Sequence, residues 1–164
     1  MLGNLMEKLG FQNKDIIINS PLEGEACPLS EVKDPVFSEK ILGEGLAIKP
    51  VKGRVVAPVD GTVGVLFETK HAISITSDQG TEILIHVGLD TVNLKGQFYQ
   101  SFVAAGDKIK AGQLLLEFDI NQIKAAGYDV ITPVLICNRT DYSEIIPVTG
   151  KKVEELEKIL TVKK

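Results

Sequence analysis

The sequence has little of several features that would define other classes of protein. Its two cysteines are too few for a disulfide scaffold and form no CxxC pair. The net charge is -4 with scattered lysines and arginines, so we expect no nucleic-acid partner. No segment approaches the ~20 consecutive apolar residues that span a bilayer, and no N-terminal stretch resembles a secretory signal. We therefore expect a cytoplasmic protein with no direct membrane span.

The length of 164 residues and an apolar content of 44% predict one domain with a sizeable core over residues 15–164. Residues 1–14 have a different pattern, because Leu2, Leu5, Met6 and Leu9 recur at helical spacing. This pattern predicts a short amphipathic N-terminal arm that is flexible or loosely docked.

Short runs of Ile, Val, Leu and Thr between Gly, Pro, Asp and Asn dominate residues 15–147, which is typical of all-β proteins. The pattern predicts an antiparallel β-sandwich or barrel-sandwich hybrid with short peripheral helices. A single helical turn is expected at 38–42, a short helix at 121–126 capped by Asn121 and ended by Gly127, and a longer helix at 151–160. The expected strands are 15–19, 45–50, 53–57, 61–66, 72–77, 82–87, 114–118 and 130–137.

Two glycine-containing corners between apolar runs bear on the architecture. They are APVDG at 57–61 and GDKIKAG at 106–112. Both look like the turns of lipoyl-like or barrel-sandwich folds, which biotinyl carriers, zinc endopeptidases and sugar-transport phosphocarriers share. The corners therefore indicate a fold and leave the function open.

The chain has only two histidines, His71 and His86, and they bound one predicted hairpin, HAISITSDQGTEILIH. If the loop around 77–80 contains two or four residues, His71 lies directly opposite His86 on the same face. A loop of three residues would shift the register by one and place the rings on opposite faces. The expectation is therefore a pair of imidazoles that depends on this register.

Two neighbouring imidazoles suit a metal site, base-assisted nucleophilic catalysis or phosphoryl transfer. A catalytic zinc needs three protein ligands, and only Asp90 could join the pair, without an HxH or HExxH motif. Zinc could therefore bind His71 and His86 adventitiously, and we expect no required metal or cofactor. There is no GxSxG nucleophile elbow, and the predicted hairpin tip has no lysine for lipoyl or biotinyl attachment.

The residues after His86 favour a phosphoryl carrier. Gly88 allows the backbone to approach the ring, and its carbonyl can accept a hydrogen bond from one ring nitrogen. The other nitrogen is then free to act as a nucleophile, while Asp90 places a carboxylate nearby.

These residues closely resemble the glucose-family enzyme IIA of the bacterial phosphoenolpyruvate-dependent sugar phosphotransferase system. The resemblance covers about residues 17–160 and includes the spacing of both histidines. The matching segments are TKHAI at 69–73, EILIHVGLDTVNLKG at 82–96, and the corners at 57–61 and 106–112.

The resemblance implies a phosphotransferase component with a phosphohistidine intermediate. His86 would accept phosphate on Nε2 from phospho-HPr and pass it to a cysteine of enzyme IIB, which works with the membrane protein IIC. His71 would support the phosphate oxygens, Thr69 would orient His71, and Asp90 would tune the site. A lipoyl-like binding module or a zinc-dependent hydrolase on a similar β-fold is the alternative.

An apolar rim around the histidines would exclude water and contact both partners. Its candidates are Val36, Phe37, Ile41, Phe67 and Val87. Many relatives have Phe where this chain has Val87, which affects the expected partner surface and leaves the chemistry unchanged. Ordinary core packing is the alternative for each rim residue, although the nearness of Phe67 to Thr69 favours the rim.

Overall fold

A computed structural model describes residues 15–164, and the predicted N-terminal arm at 1–14 lies outside the described residues. The described chain is mostly β-strand, and its strand pairs are antiparallel, as the sequence predicts. The strands are β1 (Ile16–Asn19), β2 (Gly24–Pro28), β3 (Glu44–Pro50), β4 (Arg54–Val56), β5 (Gly61–Leu66), β6 (Ala72–Ser77), β7 (Glu82–His86), β8 (Tyr99–Ser101), β9 (Lys108–Ile109), β10 (Leu114–Phe118), β11 (Thr132–Ile136), β12 (Glu144–Pro147), β13 (Lys151–Val153) and β14 (Lys158–Lys163).

The helices are short and peripheral. They are α1 (Pro35–Ser38) and α2 (Ile120–Ala125), with 3-10 turns at Leu29–Glu31, Thr91–Leu94 and Arg139–Asp141. Among the residues described, no helix is long and apolar enough to cross a membrane.

The strands form one large sheet and two small ones. The large sheet has eight strands in the order β9-β5-β6-β7-β11-β3-β2-β13. The two small sheets have three strands each, in the orders β4-β10-β8 and β12-β14-β1.

Strand β11 shows how the large sheet is stabilised on both faces. All five of its residues are buried, which suits a strand covered on both sides. Successive side chains point to opposite faces, so Val134 joins the main core while Leu135 joins a smaller cluster with Leu29 and Phe37. Each buried aliphatic side chain stabilises the fold by about 1.5–3 kcal/mol relative to an exposed one.

The two predicted corners lie side by side. Ala57 and Gly112 are joined because the Gly112 N–H donates to the Ala57 carbonyl over 2.8 Å. The Ala111 N–H donates to the Asp60 carboxylate over 2.9 Å. The two glycine-containing segments therefore stabilise each other at one end of the large sheet.

Two of the predicted helices begin earlier than expected. The turn expected at 38–42 is displaced: α1 ends at Ser38. It begins at Pro35 because Asp34 accepts a hydrogen bond from the Val36 N–H and Pro35 occupies the first turn. The helix expected at 121–126 is α2, and its cap is Asp119 instead of Asn121. Gly127 follows it with φ +95°, as the sequence predicts for a residue that ends a helix.

The predicted helix at 151–160 is wrong. This segment forms β13 and the start of β14, which pair with β2 and with β12 and β1. Val153, Ile159 and Leu160 are buried in the main core, so their apolar spacing serves two strands joined by a turn. Leu156 lies in that turn with φ +70°.

Candidate functional site

The hairpin of β6 and β7 carries both histidines at its open end. Ala72 pairs with His86, and at the other end the Ser77 N–H donates to the Thr81 carbonyl over 2.9 Å. The tip therefore has three residues, of which Gly80 has φ +91°. The expected pairing of His71 with His86 is wrong by one residue, because this turn shifts the register.

The two imidazoles are nevertheless in contact. Their centroids are 4.8 Å apart, and the rings are nearly perpendicular at 84°. His71 lies just before β6, after Lys70 with φ +61°, so the alternation of side chains along a strand does not set its direction. The His71 carbonyl accepts a hydrogen bond from the Val87 N–H over 2.7 Å. The prediction that a three-residue loop separates the rings is therefore also wrong.

His86 is oriented by the backbone that follows it. Its Nδ1 donates to the Gly88 carbonyl oxygen over 2.8 Å, and since a carbonyl only accepts, the proton of the neutral ring lies on Nδ1. Nε2 then has a free lone pair. Gly88 has φ +92°, and a Cβ there would lie 2.5 Å from Thr91 Cγ2 and 2.8 Å from the Asp129 carbonyl oxygen. Only glycine fits this close approach without strain.

His71 is held by Thr69. Thr69 Oγ1 lies 2.6 Å from His71 Nδ1, a hydrogen-bonding distance. Thr69 belongs to the loop between β5 and β6, in which the Lys70 N–H donates to the Phe67 carbonyl over 2.8 Å. His71 is only 2% exposed, so its ring has few orientations available. The structure thus brings together Thr69 and His71, the residue that Thr69 is expected to orient.

Burial keeps both rings neutral at pH 7. Burial, and to a smaller extent the nearby His86, lowers the pKa of His71 from 6.5 to about 4. Burial also lowers the pKa of His86, while the Gly88 carbonyl and then the charges of Asp34 and Asp90 oppose this decrease. The site therefore contains two uncharged imidazoles, with the negative charges of Asp34 and Asp90 nearby.

Asp34 is a site residue that the sequence analysis does not identify. It caps α1, and its charge raises the pKa of His86 more than the charge of Asp90 does. An Asp followed by a Pro is a recognisable helix start, but its nearness to His86 depends on the fold. Asp90 is exposed with φ +59°, and within residues 15–164 no hydrogen bond joins its side chain to either ring. The effect of Asp90 on the pKa of His86 is therefore electrostatic.

Three of the five predicted rim residues are exposed. Val36 is 38% exposed and Ile41 65% exposed on either side of Phe37, whose ring centroid lies 4.9 Å from that of His86. Phe67 is 40% exposed, and its ring meets the edge of the His71 ring at 5.4 Å. We define Val36, Ile41 and Phe67 as the exposed rim.

The prediction that Phe37 and Val87 lie on the partner surface is wrong, because both side chains are buried. Val87 is fully buried in the main core, because its side chain points to the face of the sheet opposite that of His86. Phe37 is 4% exposed and belongs to the smaller cluster, where it covers the His86 ring. Val87 therefore takes part in the site through its backbone, and the Phe37 ring packs against the His86 ring.

The part of the chain that the structure describes contains no group of three His, Cys, Asp or Glu side chains arranged to hold a metal ion. The two imidazoles are the nitrogen donors at the site, so a metal there would need further ligands from elsewhere.

The fold and the site define an all-β protein with a neutral, partly buried histidine pair. The family described as "phosphoenolpyruvate-dependent sugar phosphotransferase system, EIIA 1" matches residues 16–142. The glucose-specific EIIA component of Oceanobacillus iheyensis is 45% identical over 145 residues, which are 88% of each chain. The chain belongs to this family, and the resemblance seen in the sequence is confirmed: it is a glucose-family EIIA domain of a sugar phosphotransferase system.

Two further similarities extend this result. Glucose permease IIA from Mycoplasma capricolum has the same fold, with a TM-score of 0.84 and 33% identity, over 92% of this chain and 97% of that one. The beta-glucoside-specific EIIBCA component of Bacillus subtilis is 59% identical over 127 residues, which are 77% of this chain and 21% of that protein. The chain thus spans about a fifth of the length of this beta-glucoside-specific relative.

Proposed function

We propose that this chain accepts a phosphoryl group from phospho-HPr on Nε2 of His86 and transfers it to a cysteine of enzyme IIB. The observation that carries the proposal is the hydrogen bond from His86 Nδ1 to the Gly88 carbonyl. It leaves the lone pair of Nε2 available beside His71, whose ring centroid is 4.8 Å away. Family membership supports this exchange, because EIIA domains belong to a phosphoryl-transfer system.

In the first step, Nε2 of His86 attacks phosphorus, the new P–N bond forms, and the P–N bond to the HPr histidine breaks. The His86 ring, which attacks, keeps its Nδ1 proton and gains positive charge, which the Gly88 carbonyl dipole stabilises. In the second step, a cysteine thiolate of enzyme IIB attacks phosphorus, a P–S bond forms, and His86 leaves as a neutral imidazole. No proton has to move at His86 in either step.

His71 supports the phosphoryl oxygens in this proposal. If the Thr69 hydroxyl donates to His71 Nδ1, the single proton of the neutral His71 ring lies on Nε2. An Nε2–H can donate to a phosphoryl oxygen, and a low His71 pKa preserves this neutral donor at pH 7. The two histidines therefore have unequal roles, one as nucleophile and the other as donor.

The exposed rim is proposed to contact both partners. Phe67 contacts His71, Val36 precedes Phe37, which contacts His86, and the Ile41 N–H donates to the Val36 carbonyl. Apolar contact around a reactive group excludes water from the phosphoryl bond. Asp34 and Asp90 add negative charge, which favours a partner with cationic side chains around its reactive residue. The printed name of the Bacillus subtilis relative joins A, B and C components, which supports IIB and the membrane IIC as the acceptor side.

The cytoplasm is the compartment that we propose for this exchange. No cofactor is part of the proposal, because the phosphoryl group moves between side chains.

The test uses the fact that the chain has only two histidines. Wild type, His86→Ala and His71→Gln are incubated with HPr carrying labelled phosphate, and acid-labile label is counted before and after enzyme IIB is added. We expect wild type and His71→Gln to accept label, His86→Ala to accept none, and His71→Gln to transfer slowly to IIB. Labelling of His86→Ala would refute the assignment of the nucleophile. Fast transfer from His71→Gln would refute the donor role.

A further inference from the structure

The Val87 carbonyl, directly after His86, accepts two side-chain hydrogen bonds. Thr91 Oγ1 donates over 2.7 Å and Tyr99 Oη donates over 2.8 Å. Thr91 is fully buried and Tyr99 is 7% exposed, so both hydroxyls act in a site with little water. Burial raises the pKa of Tyr99 to about 12, so its hydroxyl stays a neutral donor at physiological pH.

Backbone hydrogen bonds hold the Val87–Gly88 peptide and the Gly88–Leu89 peptide that follows it. The Gly88 N–H donates to the Ile131 carbonyl over 3.1 Å, and the Leu89 N–H donates to the Asp129 carbonyl over 3.0 Å. The remaining group is the Gly88 carbonyl, which accepts from His86 Nδ1. The Gly88 carbonyl belongs to the Gly88–Leu89 peptide, which directly follows the Val87–Gly88 peptide that Thr91 and Tyr99 hold. Its orientation therefore depends on that neighbouring peptide.

We propose that Thr91 and Tyr99 are positioning residues for His86, because their two hydroxyls fix the Val87–Gly88 peptide and hence the carbonyl that selects the His86 tautomer. This inference deepens the proposed function and rests on it for its consequence in phosphoryl transfer. Neither residue contacts the attacking nitrogen in this scheme. Both act through the backbone.

Because two hydroxyls donate to one carbonyl, the loss of both should cost more than the sum of the two single losses. A carbonyl oxygen has two lone pairs, so it keeps one partner when either hydroxyl is removed. Removal of both leaves a buried acceptor unsatisfied, which costs more than two single losses. We therefore expect the losses in the Thr91→Val and Tyr99→Phe single variants to add up to less than the loss in the double variant.

The chain offers a matched control pair, Thr81 and Tyr142. Thr81 is fully buried, and its Oγ1 lies 3.0 Å from Tyr142 Oη. This pair is at the tip end of the hairpin, opposite the end that carries His86. Thr81→Val with Tyr142→Phe removes the same atoms as Thr91→Val with Tyr99→Phe, without touching the Val87 carbonyl.

The experiment measures the ring of His86 as well as the rate. Ring ¹⁵N shifts of labelled histidine report the tautomer of His86 in the wild type, both single variants, both double variants and Thr91→Ser, at a pH where His86 is neutral. Initial rates of phosphate acceptance from phospho-HPr are measured on the same samples. Thermal unfolding of each sample shows how much of it is folded.

We expect wild type and the control double variant to have Nδ1 protonated and Nε2 bare. Each single variant should reduce acceptance about two- to fivefold, the Thr91→Val/Tyr99→Phe double variant by more than the product of the two single losses (more than about 25-fold if each is fivefold), and Thr91→Ser should keep the wild-type values. The double variant should also populate both tautomers. If it does not fold, Thr91→Ser/Tyr99→Phe replaces it and must behave as Tyr99→Phe alone.

A wild-type tautomer in folded Thr91→Val/Tyr99→Phe would overturn the positioning role, even if the rate falls. Equal rate losses in the control double variant would overturn it as well. If wild type accepts no phosphate on His86, the proposed function fails, and the ring shifts still decide whether Thr91 and Tyr99 select the tautomer.

Discussion

The substitution Gly88→Ala tests how closely the backbone must approach at the site. Gly88 has φ +92°, a conformation that costs an alanine about 1–2 kcal/mol. The new Cβ would also lie 2.5 Å from Thr91 Cγ2 and 2.8 Å from the Asp129 carbonyl oxygen. Forcing an extra carbon into packed surroundings costs a further ~1–3 kcal/mol.

Gly80 provides the matched control. Its φ of +91° is nearly identical, but a Cβ there meets nothing within 4 Å. Gly80→Ala therefore includes the backbone cost alone, and we expect urea unfolding to show Gly88→Ala to be less stable by the packing term of about 1–3 kcal/mol. Equal losses of unfolding free energy in the two variants would contradict the close contacts at Gly88.

The same pair of variants tests the role of the Gly88 carbonyl. Displacement of this carbonyl weakens the hydrogen bond to His86 Nδ1, worth about 1 kcal/mol net, so acceptance from phospho-HPr should fall about fivefold. Gly80→Ala should accept phosphate at the wild-type rate. A folded Gly88→Ala protein with an unchanged rate would refute the reasoning.

Three further predictions concern charge and hydrogen bonding at the site. The pKa of His71 is 6.5 in the unfolded chain and about 4 in the folded protein, so the unfolded chain binds a proton first as the pH falls. The free energy of unfolding should therefore decrease below pH 6.5 and toward pH 4, by about 2 kcal/mol between pH 6.5 and 5. Urea unfolding of His71→Gln should lack this loss, and the same slope in both proteins would contradict it. Thr69→Val should slow transfer to IIB about fivefold in single-turnover measurements, with Thr69→Ser restoring it, because the hydroxyl next to His71 Nδ1 is lost. Asp34→Asn and Asp90→Asn should each lower the pKa of His86 in an NMR titration, and an increase would contradict the field that we describe.

The hairpin shows what local sequence can and cannot predict. The strands at 61–66, 72–77 and 114–118 are confirmed with the expected bounds, because short apolar runs bounded by turn residues are a local signal. The register between β6 and β7 depends on the conformation of a few turn residues, and the positive φ of Gly80 changed it by one. The rings are close despite this shift in register, because His71 lies outside the strand.

The C-terminal segment differs from the predicted helix for another reason. Apolar residues at 153, 156, 159 and 160 fit one face of a helix as well as two strands with a turn. The pairing of β13 with β2 and of β14 with β1 decides between them, and those partners are more than a hundred residues away in sequence. Tertiary pairing therefore overrides the helical periodicity.

Residues at the site were predictable to different degrees. Thr69 and Gly88 lie within two residues of the histidine that each contacts, so a local motif could identify them. Asp34 reaches the site only through the fold. Val87 could have been excluded, because a neighbour of His86 in an extended strand points to the opposite face. The chemical roles of His71 and His86 stay predictions.

The hydrogen bond from the Val87 N–H to the His71 carbonyl has a consequence for protein engineering. Because this contact fixes the register at the open end of the hairpin, we expect residues inserted at the tip, 78–80, to extend the loop and leave both imidazoles in place. These three residues are exposed, so a fluorescent label or a short peptide tag inserted there would face solvent. The hairpin thus provides a place to attach a reporter on the same two strands that carry the reactive pair.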